Sequence, residues 1–502
     1  MIINQKNEFD RNIFILFLVF IASRFFYYNF FDITFDSWTI DVYWQFIPKE
    51  LLKNDLINSI LFNHYQPPLL NLIVGLLMKI TENYIFVLQS IYLICGFFSF
   101  LIIYFICKDF KFSNRTSLTV SIILMILPTT ILYENHLYKE YLTFFFLIIL
   151  FYNSNKLYDN SYSIKNVIYF SLSLSLLCLT RETFHIFWGF VFIYFIQKNL
   201  NFSKKIYLIL IFTLIVSPFY LKNLILFNKF AINSATTYEH LSQKIDYIKE
   251  MKDPTRHVKI RNFFFGSYEN YIEFKKKGSL LYDTELYIGA PHYKRILNYE
   301  VKSKNKLLNS NSHFSEVYFE VEKYRKKDFF LMLKEQPFLI LLNYINSLTR
   351  HLFSSSDYFG FTKPNADKMK TLIKIADCLK LTPICVYEFN FTKKISNIGG
   401  NSYISIDTGP LTYYEKIIYS IQHTNFLLLI IYIYLLFYLA KELLIKKNFD
   451  MMIFWLLTFF FIFIILIIFE DGEISRHRFP LDYLCFLIFL KQVKKKFFTL
   501  RR

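Results

Sequence analysis

Ten apolar runs divide this chain, and the polar residues at their two ends differ in kind. A bilayer core takes about 20 mostly apolar residues per helix. Runs at about 13–30, 84–106, 117–134, 138–152, 164–180, 184–198, 205–221, 423–441, 450–469 and 479–492 meet that loosely. Alternate links carry the basic residues: Lys108, Lys111 and Arg115; Lys156 and Lys165; Lys198, Lys204 and Lys205; Lys441, Lys446 and Lys447; and the tail from Lys491 to Arg502. With Lys6 and Arg11 ahead of the first run, ten crossings put every one of these on the cytoplasmic side, where Lys and Arg accumulate. The opposite ends hold a mixture of acids, imidazoles and arginines.

Composition agrees with this layout. Hydrophobic residues are 54% of 502 positions and aromatics 21%, more than a soluble domain uses. The net charge of +18 sits beside apolar runs, the pattern of anchors against anionic lipid rather than of a nucleic-acid surface. The expected fold is therefore an all-α polytopic membrane protein of about ten transmembrane helices, in the cell's inner membrane. Ile13 to Phe30 reads as the first span and not as a cleaved signal. Of six cysteines, Cys95, Cys107, Cys178 and Cys485 fall in or beside apolar runs as packing residues. Cys378 and Cys385 lie in an outer region, where a disulfide and two free thiols both fit. No spacing reads as a metal site.

Three regions follow. Residues 1–221 form an N-terminal membrane core with a first outer loop at 31–66 and a short apolar helix at 67–80. The latter is too short to cross and reads as re-entrant or interfacial, with Pro67-Pro68 at its start. Residues 222–422 form a long extracytoplasmic region with amphipathic pieces at about 315–333 and 336–353. Residues 423–502 supply the last spans and the basic tail.

The candidate chemistry lies on the outer face. Asp36 and Asp41 follow the first span, and either carboxylate suits a general base acting on a hydroxyl. The bland reading makes Asp36 a helix cap and Asp41 a solvated loop residue. Beyond them come His64 before Gln66-Pro67-Pro68, then Glu134, His136 and Glu140, then Arg181, Glu182 and His185. Ionisable groups at membrane depth tend to mark functional cavities. The last outer link runs Glu470-Asp471-Gly472-Glu473-Ile474-Ser475-Arg476-His477-Arg478-Phe479-Pro480. Arginine forks suit phosphate oxygens; a surface salt-bridge cluster is the bland alternative.

These motifs resemble the GT-C glycosyltransferases, in the branch of protein O-mannosyltransferases and aminoarabinose transferases. Asp41 with Tyr43, Leu51-Leu52 and Pro67-Pro68-Leu69 resembles that family's first-loop pattern. Tyr133-Glu134 to Glu140-Tyr141 is similar to its next outer loop. Ser217-Pro218-Phe219-Tyr220-Leu221-Lys222-Asn223 resembles its Pro-Trp-x-x-Arg-Asn turn, Glu335-Gln336-Pro337 the helix ahead of its membrane-proximal segment, and Arg476 to Pro480 its Arg-Tyr-x-x-Pro element. Departures are Lys222 for Arg, Phe219-Tyr220 where Trp is usual, Val42 where an acid often follows the first-loop Asp, and Gln66 where Lys or His precedes the prolines. Residues 223–335 match nothing in the pattern.

The resemblance implies inverting transfer of a sugar from a polyprenyl-phosphate donor to a lipid, glycan or protein acceptor outside the cytoplasm. Asp41 or Asp36 would be the base, and Arg476, Arg478, Arg181 and Lys222 the phosphate-binding cations. His64, His136, His185, His477, Glu134, Glu140, Glu182 and Glu473 would support them. No cofactor or metal is expected. Two alternatives differ in class or chemistry: a transporter or flippase for a lipid-linked sugar, and an O-antigen-type polymerase or ligase.

Overall fold

The computed structural model describes residues 2–42, 45–158, 163–197, 200–233, 302–309, 363–381, 424–469 and 474–500, with single positions between 314 and 352. Among the described residues there is no strand, only an isolated parallel bridge between Asp36 and His136. Five helices are long and apolar enough to cross a bilayer: Asp10–Phe30, Tyr84–Asp109, Phe202–Phe227, Phe426–Ile445 and Met451–Ile468. The pair Asn114–Ile126 and Pro128–Glu134 makes a sixth if its 60° bend is counted as one broken span. The described residues are all-α, and their apolar helices mark a membrane-embedded protein.

The order is α1 (Ile2–Phe30), three short helices α2 (Thr39–Val42), α3 (Lys49–Asn54) and α4 (Leu56–Phe62), then α5 (Pro68–Ile80), α6 (Tyr84–Asp109), α7 (Asn114–Ile126), α8 (Pro128–Glu134), α9 (Lys139–Tyr158), α10 (Ile164–Thr180), α11 (Ile186–Gln197) and α12 (Phe202–Phe227). Later come α13 (Lys363–Lys368), α14 (Lys370–Leu379), α15 (Phe426–Ala440) running into a π turn at Lys441–Ile445, α16 (Met451–Phe469) and α17 (Ile474–Leu500).

Each long helix turns one stripe inward. On α1 the buried positions are Asn12, Leu16, Phe20, Arg24 and Tyr27, steps of three and four that stack along one face. The facing-out positions are bulky and apolar (Phe14, Leu18, Phe25 and Phe30 are all exposed), which water would not tolerate and lipid does. Helix α9 is different. It is buried nearly all round and packs against α10, α6, α17 and α11. This central position explains why a run carrying Lys139, Glu140, Asn153 and Ser154 is helical here: Trp455 donates to the Ser154 hydroxyl at 3.0 Å. On α10, Ser171 and Ser175 return their hydroxyls to the carbonyls of Val167 and Ser171 at 2.8 and 2.7 Å. Small, self-satisfied residues let neighbouring backbones approach closely.

The run expected as one span at 117–134 is broken. Pro128 has no N–H and opens a new helix at its first position, so the last carbonyls of α7 lose their usual donors. Side chains replace them. Thr130 donates to the Leu124 carbonyl at 2.7 Å, Arg24 to Met125 at 3.2 Å and the Tyr27 phenol to Ile126 at 2.9 Å. The last span also departs from expectation, since α17 begins at Ile474 and takes Arg476, His477 and Arg478 into its first turns rather than leaving them in a link. The amphipathic pieces at 315–333 and 336–353 lie largely outside the described residues, as do Cys385, Glu470 to Glu473 and most of 223–335. Cys378 is exposed and unbridged.

Three of the basic segments, around Lys111, Lys156 and Lys494, meet at one end. Lys156 bonds Asp109 at 2.7 Å, and Lys494 reaches the carbonyls of Phe110 (3.1 Å) and Lys111. Lys491 and Lys494 also lie over the rings of Phe110 and Phe112. The acids, imidazoles and arginines meet at the other end.

Candidate functional site

The first outer loop is pinned before it reaches Asp41. The Asp36 amide donates to the Asn135 carbonyl at 2.8 Å, and the Leu137 amide donates to the Asp36 carbonyl at 2.9 Å. The Thr39 hydroxyl adds a bond to the Leu137 carbonyl at 2.9 Å. Inside this clamp the Asp36 carboxylate meets His136 Nδ1 at 3.1 Å, both side chains nearly buried. Asp36 is thus a bridging residue, and its Oδ1 also accepts from the Trp38 amide at 3.4 Å just ahead of α2. Asp41, one turn on in α2, is more open: its side chain is 30% exposed and stands 3.6 Å from Lys49.

Behind this loop sits a buried pair. Arg24 forks onto Glu134, with Nε to Oε1 at 2.8 Å and Nη2 to Oε2 at 2.6 Å. The Tyr141 phenol donates to the same carboxylate at 2.7 Å, and Phe20 lies 4.0 Å beneath the guanidinium.

The largest convergence is at the start of α9. Glu140 Oε1 takes Arg181 at 3.2 Å and Arg476 at 3.1 Å, all three side chains buried. The Gln45 amide, its oxygen turned toward Arg476, accepts at 3.0 and 3.2 Å, and Tyr138 stacks under the same guanidinium. Next to Glu140, the Lys139 ammonium holds Glu182 at 3.0 and 3.1 Å and the Gln66 side-chain oxygen at 3.3 Å. Three cations against two carboxylates leave the group one positive charge in excess.

Sequence reasoning missed Lys139. A lysine on the face that should be poor in lysine was the available signal. It stands beside Gln66, the residue ahead of Pro67.

Other expected cations go elsewhere. Lys222 caps the end of α4, donating to the carbonyls of Ile60 (3.1 Å), Leu61 (2.9 Å) and Asn63. Arg478 pairs with Asp482 at 2.8 Å and donates to the His351 carbonyl. His477 meets the Arg476 guanidinium at 3.3 Å. His64 is buried between Phe227 and Phe319, with Nε2 2.8 Å from the Phe314 carbonyl; it ties the first loop to the long outer region. Of the cations named from sequence, the structure brings Arg181 and Arg476 together on Glu140 and gives Lys222 and Arg478 other partners. Glu473 lies outside the described residues.

A groove of about 750 Å³ opens beside this group. Helices α11 and α16 wall it, from Phe449 and Phe454 through Val191, Phe461 and Leu466. Its polar end is formed by Glu182, Thr183, His185 and Asn233. Burial lowers the His185 pKa against a smaller opposing pull from the Phe230 backbone. Among the described residues no group of three His, Cys, Asp or Glu is placed to hold a metal.

Burial pushes the Glu182 carboxyl up, but Lys139 and then Arg181 outweigh it and hold the pKa at about 2. A depressed folded value gives stability that is full above the ordinary carboxyl value of 4.5 and lost as pH falls toward about 2. Thermal unfolding in detergent is expected to drop across that window, and the drop in Glu182→Gln to be shallower; parallel curves would refute the assignment.

Comparison of the chain with protein-family models, curated proteins and solved structures gave no match.

Proposed function

We propose that this protein is a membrane glycosyltransferase that moves a sugar from a polyprenyl-phosphate donor to an extracytoplasmic lipid, glycan or protein acceptor, with inversion at the anomeric carbon. The observation that carries the reading is the join between groove and ion group. An apolar channel along α11 and α16 ends at Glu182, and Glu182 is bonded into a cationic group. A long isoprenoid chain suits the channel, and its phosphate suits the charge at the end. In this reading α9, α10, α11 and α17 complete ten crossings of a bacterial inner membrane. The basic ends face the cytoplasm and the ion group faces away from it.

The chemistry follows from the partners. Asp41, the more open carboxylate of the first loop, takes the proton from the acceptor hydroxyl as that oxygen attacks the anomeric carbon. The bond from that carbon to the lipid phosphate breaks, and the phosphate leaves with the electron pair. Arg181, Arg476 and Lys139 supply charge where the leaving group becomes more negative. The Asp36–His136 clamp positions the loop that carries Asp41.

The test is a comparison of cell-envelope glycolipids and glycans by intact mass, with and without the protein. The expected result is loss of one sugar increment from one acceptor. Loss of that increment with the lipid-linked sugar held on the inner leaflet would instead fit a flippase, and unchanged masses would overturn the reading. Loss of whole polymer chains would fit a polymerase.

A further inference from the structure

The apolar groove ends on a carboxylate, which is a poor neighbour for a phosphate. Glu182 lines the groove and is 21% exposed at its side chain, while the Lys139 it covers is 4% exposed. The cation best placed to meet a ligand at the groove's polar end is therefore shielded by an anion of this chain.

Three further groups point to the same ligand chemistry. The side-chain nitrogens Asn63 Nδ2, Gln66 Nε2 and Arg181 Nη2 are buried without an acceptor among the described residues. They belong to one bonded group: the Gln66 backbone N–H donates to Asn63 Oδ1 at 3.2 Å, Gln66 Oε1 accepts from Lys139, and Lys139 bonds Glu182 beside Arg181. Each of these nitrogens is a donor, and leaving a buried donor unmade is unfavourable. A ligand rich in acceptor oxygens satisfies them, and an oxyanion does so best.

Resting on the glycosyltransferase reading, we propose that Lys139 is the residue that contacts the donor phosphate, and that Glu182 is its displaceable counter-ion, swung aside when a lipid phosphate enters the groove. Exchanging one anion for another keeps Lys139 paired throughout, so the buried ammonium never stands alone. It also gives the site selectivity. A polyprenol or a neutral lipid has the chain but cannot replace the carboxylate on Lys139, so it gains the apolar contacts alone and leaves the buried donors unsatisfied. The proposal accounts for Gln66 too, since its amide oxygen holds Lys139 in place while its amide nitrogen remains to serve the ligand.

The experiment uses the purified full chain in detergent, with a polyprenyl monophosphate and the matching polyprenol as probes, and reads dissociation constants from ligand-dependent thermal shifts. Wild type is expected to favour the phosphate by about tenfold to a hundredfold. Lys139→Met is expected to lose that preference, Lys139→Arg to keep most of it, and Glu182→Gln to bind the phosphate more tightly than wild type. A role for Glu182 in folding alone predicts the reverse for Glu182→Gln, with weaker binding of both probes. Undiminished phosphate preference in Lys139→Met overturns the proposal and leaves the glycosyltransferase reading standing. If Lys139→Met does not fold, the direction of change in Glu182→Gln decides. Failure of wild type to bind either probe overturns both.

Discussion

Glu134→Ala is expected to lower the unfolding temperature more than any other single substitution at the polar end. The reason is what remains. Arg24 is buried and forks onto Glu134 through two bonds. Its third nitrogen reaches Ser23 and the Met125 carbonyl, neither of which carries a charge. Removing one partner of a buried pair leaves an uncompensated ion, a penalty of about 3–5 kcal/mol. The Tyr141 phenol loses its acceptor at the same time. Arg24→Met alone leaves the carboxylate with one donor and also frees the Met125 carbonyl at the Pro128 break. The double variant Arg24→Met with Glu134→Gln removes both charges together, so its loss is expected to fall well below the sum of the two single losses. Thermal unfolding of all three variants in one detergent gives the coupling. Additive losses would show that the pair is not the structural unit described here.

The same pair shows how far the sequence could be read. Arg24 stands out inside an apolar run, and Glu134 stands out at the end of another, yet nothing local to either names the other as its partner. The tie depends on a bend at Pro128 that sequence spacing treats as a continuous span. The general layout was legible because it depends on period and charge: apolar stripes at three- and four-residue steps, and lysines gathered on one set of links. Lys222 was less legible. Its partners are backbone carbonyls of Ile60, Leu61 and Asn63, and every residue type has a carbonyl, so a lysine beside an expected phosphate site looks the same as a lysine closing a helix end. Lys139 was hidden for the opposite reason. Its neighbours are distinctive, but Gln66 and Glu182 are 73 and 43 positions away.

Asp36 and Asp41 are the sharpest case, since they are five positions apart in one loop and chemically identical by sequence. Tertiary contacts part them. Asp36 lies in the bridge to 135–137 with His136 on its carboxylate, whereas Asp41 keeps a partly open carboxylate beside Lys49. Asp41→Asn is therefore expected to reduce sugar transfer by about a hundredfold to ten-thousandfold, the range a general base contributes. The unfolding temperature should scarcely move, because an exposed ion pair contributes less than about 1 kcal/mol. Asp36→Asn is expected to do the converse. It weakens the bond to His136 and loosens the clamp, so stability falls by about 1–3 kcal/mol. Transfer then falls through mispositioning of the loop, with acceptor KM rising alongside any loss in kcat. Measuring both variants for transfer from a polyprenyl-phosphate sugar, and for thermal unfolding, separates the two roles. Full activity in Asp41→Asn removes it as the base; if Asp36→Asn then loses activity without loss of stability, the proton transfer belongs to the Asp36–His136 pair instead.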